Sequence, residues 1–201
     1  TGTGINAHPE FGARVAAALA KATGLPFVES PDHFAAQSAL DSAVELSGQL
    51  KTTASALMKI ANDLRLMASG PIAGLGEIAL PSLQPGSSIM PGKTNPTQSE
   101  ALTMVAARVM GNQTTVTFAA AQGHLELNVF KPVIIQSVLE STTLLGDAAA
   151  SFAVHMVAKL EPNLPRIADQ MAKSLMLVTA LNPRIGYDRA VQIAKLALAE
   201  D

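Results

Sequence analysis

Ser87, Ser88, Lys93, Thr94 and Asn95 fall within one short stretch, Gly86-Ser87-Ser88-Ile89-Met90-Pro91-Gly92-Lys93-Thr94-Asn95-Pro96. Together they offer hydroxyls, a point cation and an oriented amide. That set suits recognition of a small dianion. Glycine and proline forbid a regular helix through it, so the stretch is expected to be a loop. It runs into an expected helix at Thr97, and the free N–H groups of a helix N-terminus also favour anions. A capped interhelical turn with a surface lysine accounts for the same residues equally well. Glu100 has two readings for the same reason. Thr97-Gln98-Ser99-Glu100 has the form of a capping box, in which Thr97 caps and Glu100 reaches back to the Thr97 N–H.

Other chemistries fit less well. Gly92-Lys93-Thr94 looks like the end of a phosphate-binding P-loop, but that motif needs a glycine where Ser87 stands. It also needs a preceding strand, and none is expected. Gly2-Thr3-Gly4 is too short to mark a dinucleotide site. His8, His33, His124 and His155 are scattered, with no His-x-x-x-His spacing and no carboxylate cluster. Each reads as a solvated or hydrogen-bonded histidine, and no metal site is expected. The chain has no cysteine, so neither disulfides nor thiolate ligands arise.

Helices must position the loop. Pro9 to Thr23 carries Phe11, Val15, Leu19 and Ala22 on one stripe, and Gly24-Leu25-Pro26 stops it. Ser30-Pro31 reads as an N-cap followed by proline at the first helical position. From there Ala36, Ala39, Ala43, Leu46, Leu50, Thr53, Leu57, Ile60, Leu64 and Met67 alternate spacings of three and four. This predicts one continuous helix of about 50 Å at ~1.5 Å per residue. A second stripe, Leu40, Val44, Ala54, Met58 and Ala61, calls for a second set of neighbours. Residues 71–96 read as loop. A second long helix is expected from Thr97 to about Gln122, and a third from about Val129 to Lys159. The third carries Ile135, Val138, Thr142, Leu145, Ala149, Phe152 and Met156 on its seam. After Glu161-Pro162-Asn163 the helices shorten, to 164–175 and from Gly186 onward, joined by a Leu181-Asn182-Pro183 turn. The fold class is all-α, with a long-helix region over 1–163 and the start of a smaller helical domain over 164–201.

Of the 201 residues, 48% are hydrophobic and 15% charged, which excludes disorder and implies a large buried fraction. The formal net charge of −2 gives no electrostatic case for nucleic acid or an anionic membrane. No apolar run is long enough to predict a membrane span. The chain opens on Thr1 rather than methionine and stops within an expected helix, so it reads as a fragment. Long helices with more than one apolar face require missing helices or other subunits to cover them.

The loop matches the pattern G-S-S-x-M-P-x-K-x-N-P and resembles the aspartase/fumarase superfamily. Within it the chain is similar to the class II fumarases, the metal-free fumarate hydratases. Thr97-Gln98-Ser99-Glu100-Ala101-Leu102-Thr103-Met104 carries this likeness. So do Glu126-Leu127-Asn128-Val129-Phe130-Lys131-Pro132 and Ser174 to Asn182, followed by Ile185-Gly186-Tyr187-Asp188. Thr94 stands where valine is common, and Ser99 where cysteine is.

The resemblance implies reversible hydration of fumarate to L-malate through an aci-carboxylate intermediate, with no cofactor. It implies Ser87 as catalytic base and Ser88 as its substrate-contacting neighbour. Lys93 and Asn95 match substrate-binding positions, with Thr94 contributing mainly backbone. Glu100 matches the carboxylate that orients a catalytic histidine. That histidine lies upstream of the segment matching Gly2-Thr3-Gly4-Ile5-Asn6, so it is not among the four present. The family is tetrameric, with each site assembled from three chains, so the fragment alone is expected to be inactive. Its members are cytoplasmic in bacteria and mitochondrial in eukaryotes. A sister lyase such as aspartate ammonia-lyase, and a non-catalytic helical oligomer, are the alternatives.

Overall fold

The computed structural model of the chain describes residues 2–200. The chain divides into two compact units. The first comprises the described residues up to Ala61 together with Glu100–Phe152. The second comprises Asn62–Ser99 and the described residues from Ala153 onward.

In the first unit, α1 spans Phe11–Thr23 and ends at Gly24, whose φ of +72° closes the last turn through its N–H on the Ala20 carbonyl. The expected continuous helix from Ser30 to Met67 is instead two helices, α2 (His33–Ser38) and α3 (Asp41–Met67). The cap of α2 is Asp32 rather than Ser30. The Asp32 carboxylate accepts from the N–H groups of Phe34 and Ala35, both at 2.9 Å. The Ser30 hydroxyl is occupied with the Asp32 backbone. At the break Ala39 is extended, with φ −97° and ψ 137°. The last carbonyls of α2 are taken up elsewhere: Gln37 accepts from the Asn128 N–H at 3.1 Å and Ala36 from the Lys131 ammonium at 3.4 Å. Local spacing cannot reveal such a tertiary claim on a helix end.

The long partners of α3 are α4 (Thr97–Ala120) and α5 (Lys131–His155). One cluster joins Ala54 to Ala106, Val109 and Leu145, flanked by Leu50, Leu57, Met58 and Val105. Another joins Val116, Ala119, Ile134 and Val138, flanked by Leu40, Ala43, Val44 and Ala120. The fully buried positions of α3 are Ser47, Ala54 and Ala61, a line of small residues at heptad spacing. Leu46 and Ile60, expected on the seam, are exposed. The core line is thus an extension of the second stripe, where small side chains let the backbones approach closely. On α5 the expected Val138, Leu145 and Phe152 are buried, whereas Ile134 takes the place of Ile135. Each large side chain so buried contributes about 1.5–3 kcal/mol.

Buried polar groups tie α4 to α5. The Asn112 amide donates to the Glu140 carboxylate at 2.8 Å and to the Ser141 hydroxyl at 3.1 Å. Arg108 forks onto the same carboxylate, at 3.1 Å from Nε and 2.9 Å from Nη2. The Asn112 hydrogen bond, followed by Arg108, holds the Glu140 carboxyl below its ordinary value. Between the two helices, Gly123 and the His124–Leu127 bridge reverse the chain. There the buried Asn128 amide donates to the carbonyls of Ala119 (3.1 Å), Ala120 (3.3 Å) and Gln122 (3.0 Å). Its oxygen accepts from the Phe130 N–H at 2.8 Å. One side chain thereby closes the C-terminus of α4 and opens α5.

In the second unit, a two-residue strand β1 (Ile78–Ala79) lies within what was expected to be plain loop. It pairs antiparallel with β2 (Glu161–Pro162), Ile78 opposite Pro162 and Ala79 opposite Glu161. Strands this short leave no periodicity to read. From α6 (Leu164–Ala172), Arg166 donates to the carbonyls of Leu75 and Gly74, both at 3.1 Å, and Gln170 to Leu75 at 2.7 Å. Met156 and Ser99 are buried together, with the Ser99 hydroxyl 3.3 Å from the Met156 sulfur. Single 3₁₀ stretches cover Val157–Lys159 and Leu175–Leu181. The expected Leu-Asn-Pro turn is the junction where the second of these runs into α7 (Asn182–Ile185). Tyr187–Glu200 forms α8, and Asp201, expected to lie within this helix, is outside the described residues. No helix among the described residues is long and apolar enough to cross a membrane.

Replacing Asn128 with Ala strands several buried carbonyls and one N–H. A loss of about 3 kcal/mol is expected, at roughly 1–3 kcal/mol per unsatisfied group after relaxation. Urea unfolding of the wild type and N128A measures it, and an unchanged midpoint would contradict the assignment.

Candidate active site

The polar loop is closed on itself at its base. The Gly86 N–H donates to the Lys93 carbonyl at 2.8 Å, and the Asn95 amide donates to the Gly86 carbonyl at 3.1 Å. Both main-chain groups of Gly86 are therefore held by residues seven and nine positions later. A Cβ at Gly86 would sit 2.9 Å from the Lys93 carbonyl oxygen and 2.9 Å from Asn95 Oδ1, so only glycine fits this crossing. Within the loop, Gly92 adopts φ +77°, and the Lys93 N–H returns to the Met90 carbonyl at 3.3 Å. The Thr97 N–H, which a capping box assigns to Glu100, donates to the Asn95 carbonyl at 2.9 Å. The loop and the first turn of α4 are thus continuous.

Ser87 occupies the first position of the loop tip and is half-buried. Its Oγ accepts from two backbone N–H groups, those of Ile89 at 3.2 Å and Met90 at 3.1 Å. Two such donors on a hydroxyl oxygen favour its ionised form over its neutral one. They also resemble the donor pairs that stabilise developing oxyanions.

Ser87, Lys93 and Thr94 line a single cleft of about 560 Å³. Met90, Pro91 and Gly92 complete that wall, and Ser82 to Pro85 form the other. Lys93 and Thr94 are exposed. Ser88 is exposed but does not line the cleft. Asn95 is half-buried at the base of the loop, where its amide is a tie rather than a free donor. Glu100 is half-buried on the first turn of α4 and belongs to the first unit, whereas the loop belongs to the second. Ser82 and Gln84 were not singled out by sequence reasoning. Their one signal was position, immediately before Gly86. Among the described residues, no group of three or more His, Asp or Glu side chains converges as metal ligands would.

A family model described as a lyase matches residues 1–111, more than half of the chain. The chain belongs to this lyase family. A second model, described as the fumarase C C-terminus, matches residues 177–201. Among curated relatives, fumarate hydratase class II 1 of Pseudomonas aeruginosa is 59% identical over 199 residues, covering 99% of this chain and 43% of that protein. The mitochondrial fumarate hydratase of Homo sapiens is 59% identical over 196 residues, covering 98% of this chain and 38% of that protein. Among solved structures, the class II fumarase of Schistosoma mansoni superposes with a TM-score of 0.91 at 42% identity, covering 96% of this chain and 43% of that one. The chain therefore spans about two fifths of the length of these relatives. The likeness to class II fumarases first visible in the loop extends over nearly every residue of this lyase chain, and the long-helix fold is shared.

Gly86→Ala is expected to open the loop without melting the helices, because the new Cβ collides with loop atoms alone. Hydrogen exchange should accelerate at the amides of Ile89, Met90 and Lys93 and stay unchanged in α4 and α5. Equal protection in both proteins would show that the crossing is not tight.

Proposed function

We propose that the protein carrying this chain reversibly hydrates fumarate to L-malate, with this segment supplying the base and the charge-stabilising loop. The observation that carries the proposal is the Ser87 oxygen held by two N–H donors in the cleft that Lys93 lines. The relatives' printed names supply the reaction.

In the dehydration direction, Ser87 as alkoxide takes the C3 proton of malate. The C–H electron pair moves into the adjacent carboxylate, producing an aci-carboxylate with extra negative charge. That pair then returns to form the C2–C3 double bond as the C2 hydroxyl leaves, protonated to water. The N–H groups of Ile89 and Met90 lower the cost of ionising Ser87. The Lys93 ammonium stabilises the charge that accumulates on the carboxylate. Ser88 and Thr94 act as further substrate contacts, and Asn95 contributes through the loop geometry it maintains. Glu100 orients a histidine supplied from outside this chain, and that pair manages the leaving water. No cofactor is required.

The same reading carries a homotetramer with each site drawn from three chains. The exposed Met104 and Phe118 of α4 and the exposed Ile135 and Leu139 of α5 support it, as apolar surface suited to further helices. It also carries a bundle domain over 1–163, a smaller domain over 164–201, and a cytoplasmic or mitochondrial location. The relatives' names include both bacterial and mitochondrial enzymes.

The full-length protein should consume the ultraviolet absorbance of fumarate without ammonium. Consumption only with ammonium would identify an ammonia-lyase instead. Ser87→Ala should lower kcat by on the order of 10²–10⁴ with the oligomer intact, as loss of a positioned base does. Near-normal turnover would refute the assignment. Lys93→Ala should raise KM about tenfold or more, the value of one charge-assisted contact. An unchanged KM would remove Lys93 from substrate binding.

A further inference from the structure

The cleft beside Ser87 has a second wall whose chemistry is so far unassigned. It is the segment Ser82-Leu83-Gln84-Pro85. Pro81 and Pro85 bracket it, and the proline after Gln84 disfavours helical backbone there. Gln84 lies three residues before Ser87 and lines the same cleft. Among the described residues, the side chains of Ser82, Gln84, Lys93 and Thr94 have no hydrogen-bond or ion-pair partner, whereas Ser87 and Asn95 are both engaged within the loop. Four polar side chains of the cleft wall thus keep their donors unpaired, while Asn95 is spent on closing the loop.

Charge sets what the unpaired groups can receive. Among the described residues Lys93 is the one cation lining the cleft, and no carboxylate lines it. A dicarboxylate brings two negative ends, of which Lys93 can neutralise one. The other end needs neutral donors, and a primary amide offers two N–H groups without the repulsion a carboxylate would introduce. We infer that Gln84 is a substrate contact, its amide donating to the carboxylate of the dicarboxylate not held by Lys93. This deepens the hydratase reading and rests on it.

The test compares Gln84→Leu, Gln84→Glu and Gln84→Asn in the full-length protein. Gln84→Leu should raise the KM for fumarate by roughly ten- to a hundredfold, as loss of one hydrogen bond to a charged group does, and change kcat less than twofold. Gln84→Glu should raise KM further, with the added penalty shrinking as salt rises and screens the new repulsion. Gln84→Asn should recover part of the Gln84→Leu loss. Wild type that hydrates fumarate beside a Gln84→Leu variant of unchanged KM would overturn the contact while leaving the hydratase reading in place. If the wild type fails to hydrate fumarate, calorimetric titration with succinate decides separately. Binding by the wild type that Gln84→Glu weakens tenfold or more upholds the contact, and equal binding, or none to the wild type, overturns it.

Discussion

The turn that joins α4 to α5 depends on one buried amide, that of Asn128. A helix ends with carbonyls that have no intrahelical donor, and burying them unsatisfied is costly. The carbonyls of Ala119 and Ala120 at the end of α4, and of Gln122 just beyond it, converge on the Asn128 nitrogen, while its oxygen receives the Phe130 N–H immediately before α5. The backbone of the same residue holds the end of α2. The first unit therefore turns on a group that is neither apolar nor charged. In a chain with only 15% charged residues, amides do much of the work that ion pairs do elsewhere.

The loop before α4 uses the same device. Asn95 satisfies the carbonyl of Gly86 across the base of the loop, and Gly86 returns its N–H to Lys93. The consequence is an order among the polar residues. Those that close the loop are engaged, and those on its cleft side keep their donors unpaired. Ser87 sits between the two classes: its oxygen accepts two N–H groups, and it lines the cleft. A loop built this way holds the Ser87 oxygen on two N–H donors by backbone geometry.

Small residues play the corresponding part in the core. Ser47, Ala54 and Ala61 are the buried positions of α3, and Ala106 of α4 packs in one cluster with Ala54. Close backbone approach leaves room for only a few large side chains between the helices, so much apolar surface remains outside. That is the physical link between an alanine-rich sequence and long helices that expose Phe118, Leu139 and their neighbours.

By itself the sequence determined that the chain is helical, where the loop lies and which polar groups it concentrates. Glycine and proline punctuate the backbone locally, and helical periodicity is a property of adjacent turns. It also carried the family likeness, because the loop's residue types and spacing are long and specific. Only the tertiary structure decided the rest. It broke the helix at Ala39, since the Gln37 carbonyl is claimed by a backbone amide far along the chain. It moved the core of α3 from the large-residue stripe to the small-residue one, because spacing reports how many faces are apolar and not which face meets a neighbour. It paired β1 with β2, too short to show any pattern. It separated Asn95, a tie, from Gln84, an unpaired donor, although the two are the same kind of group in the sequence. Which hydrogen bonds a side chain makes is settled by what the fold brings within about 3 Å of it, and no spacing of residues along a chain carries that distance.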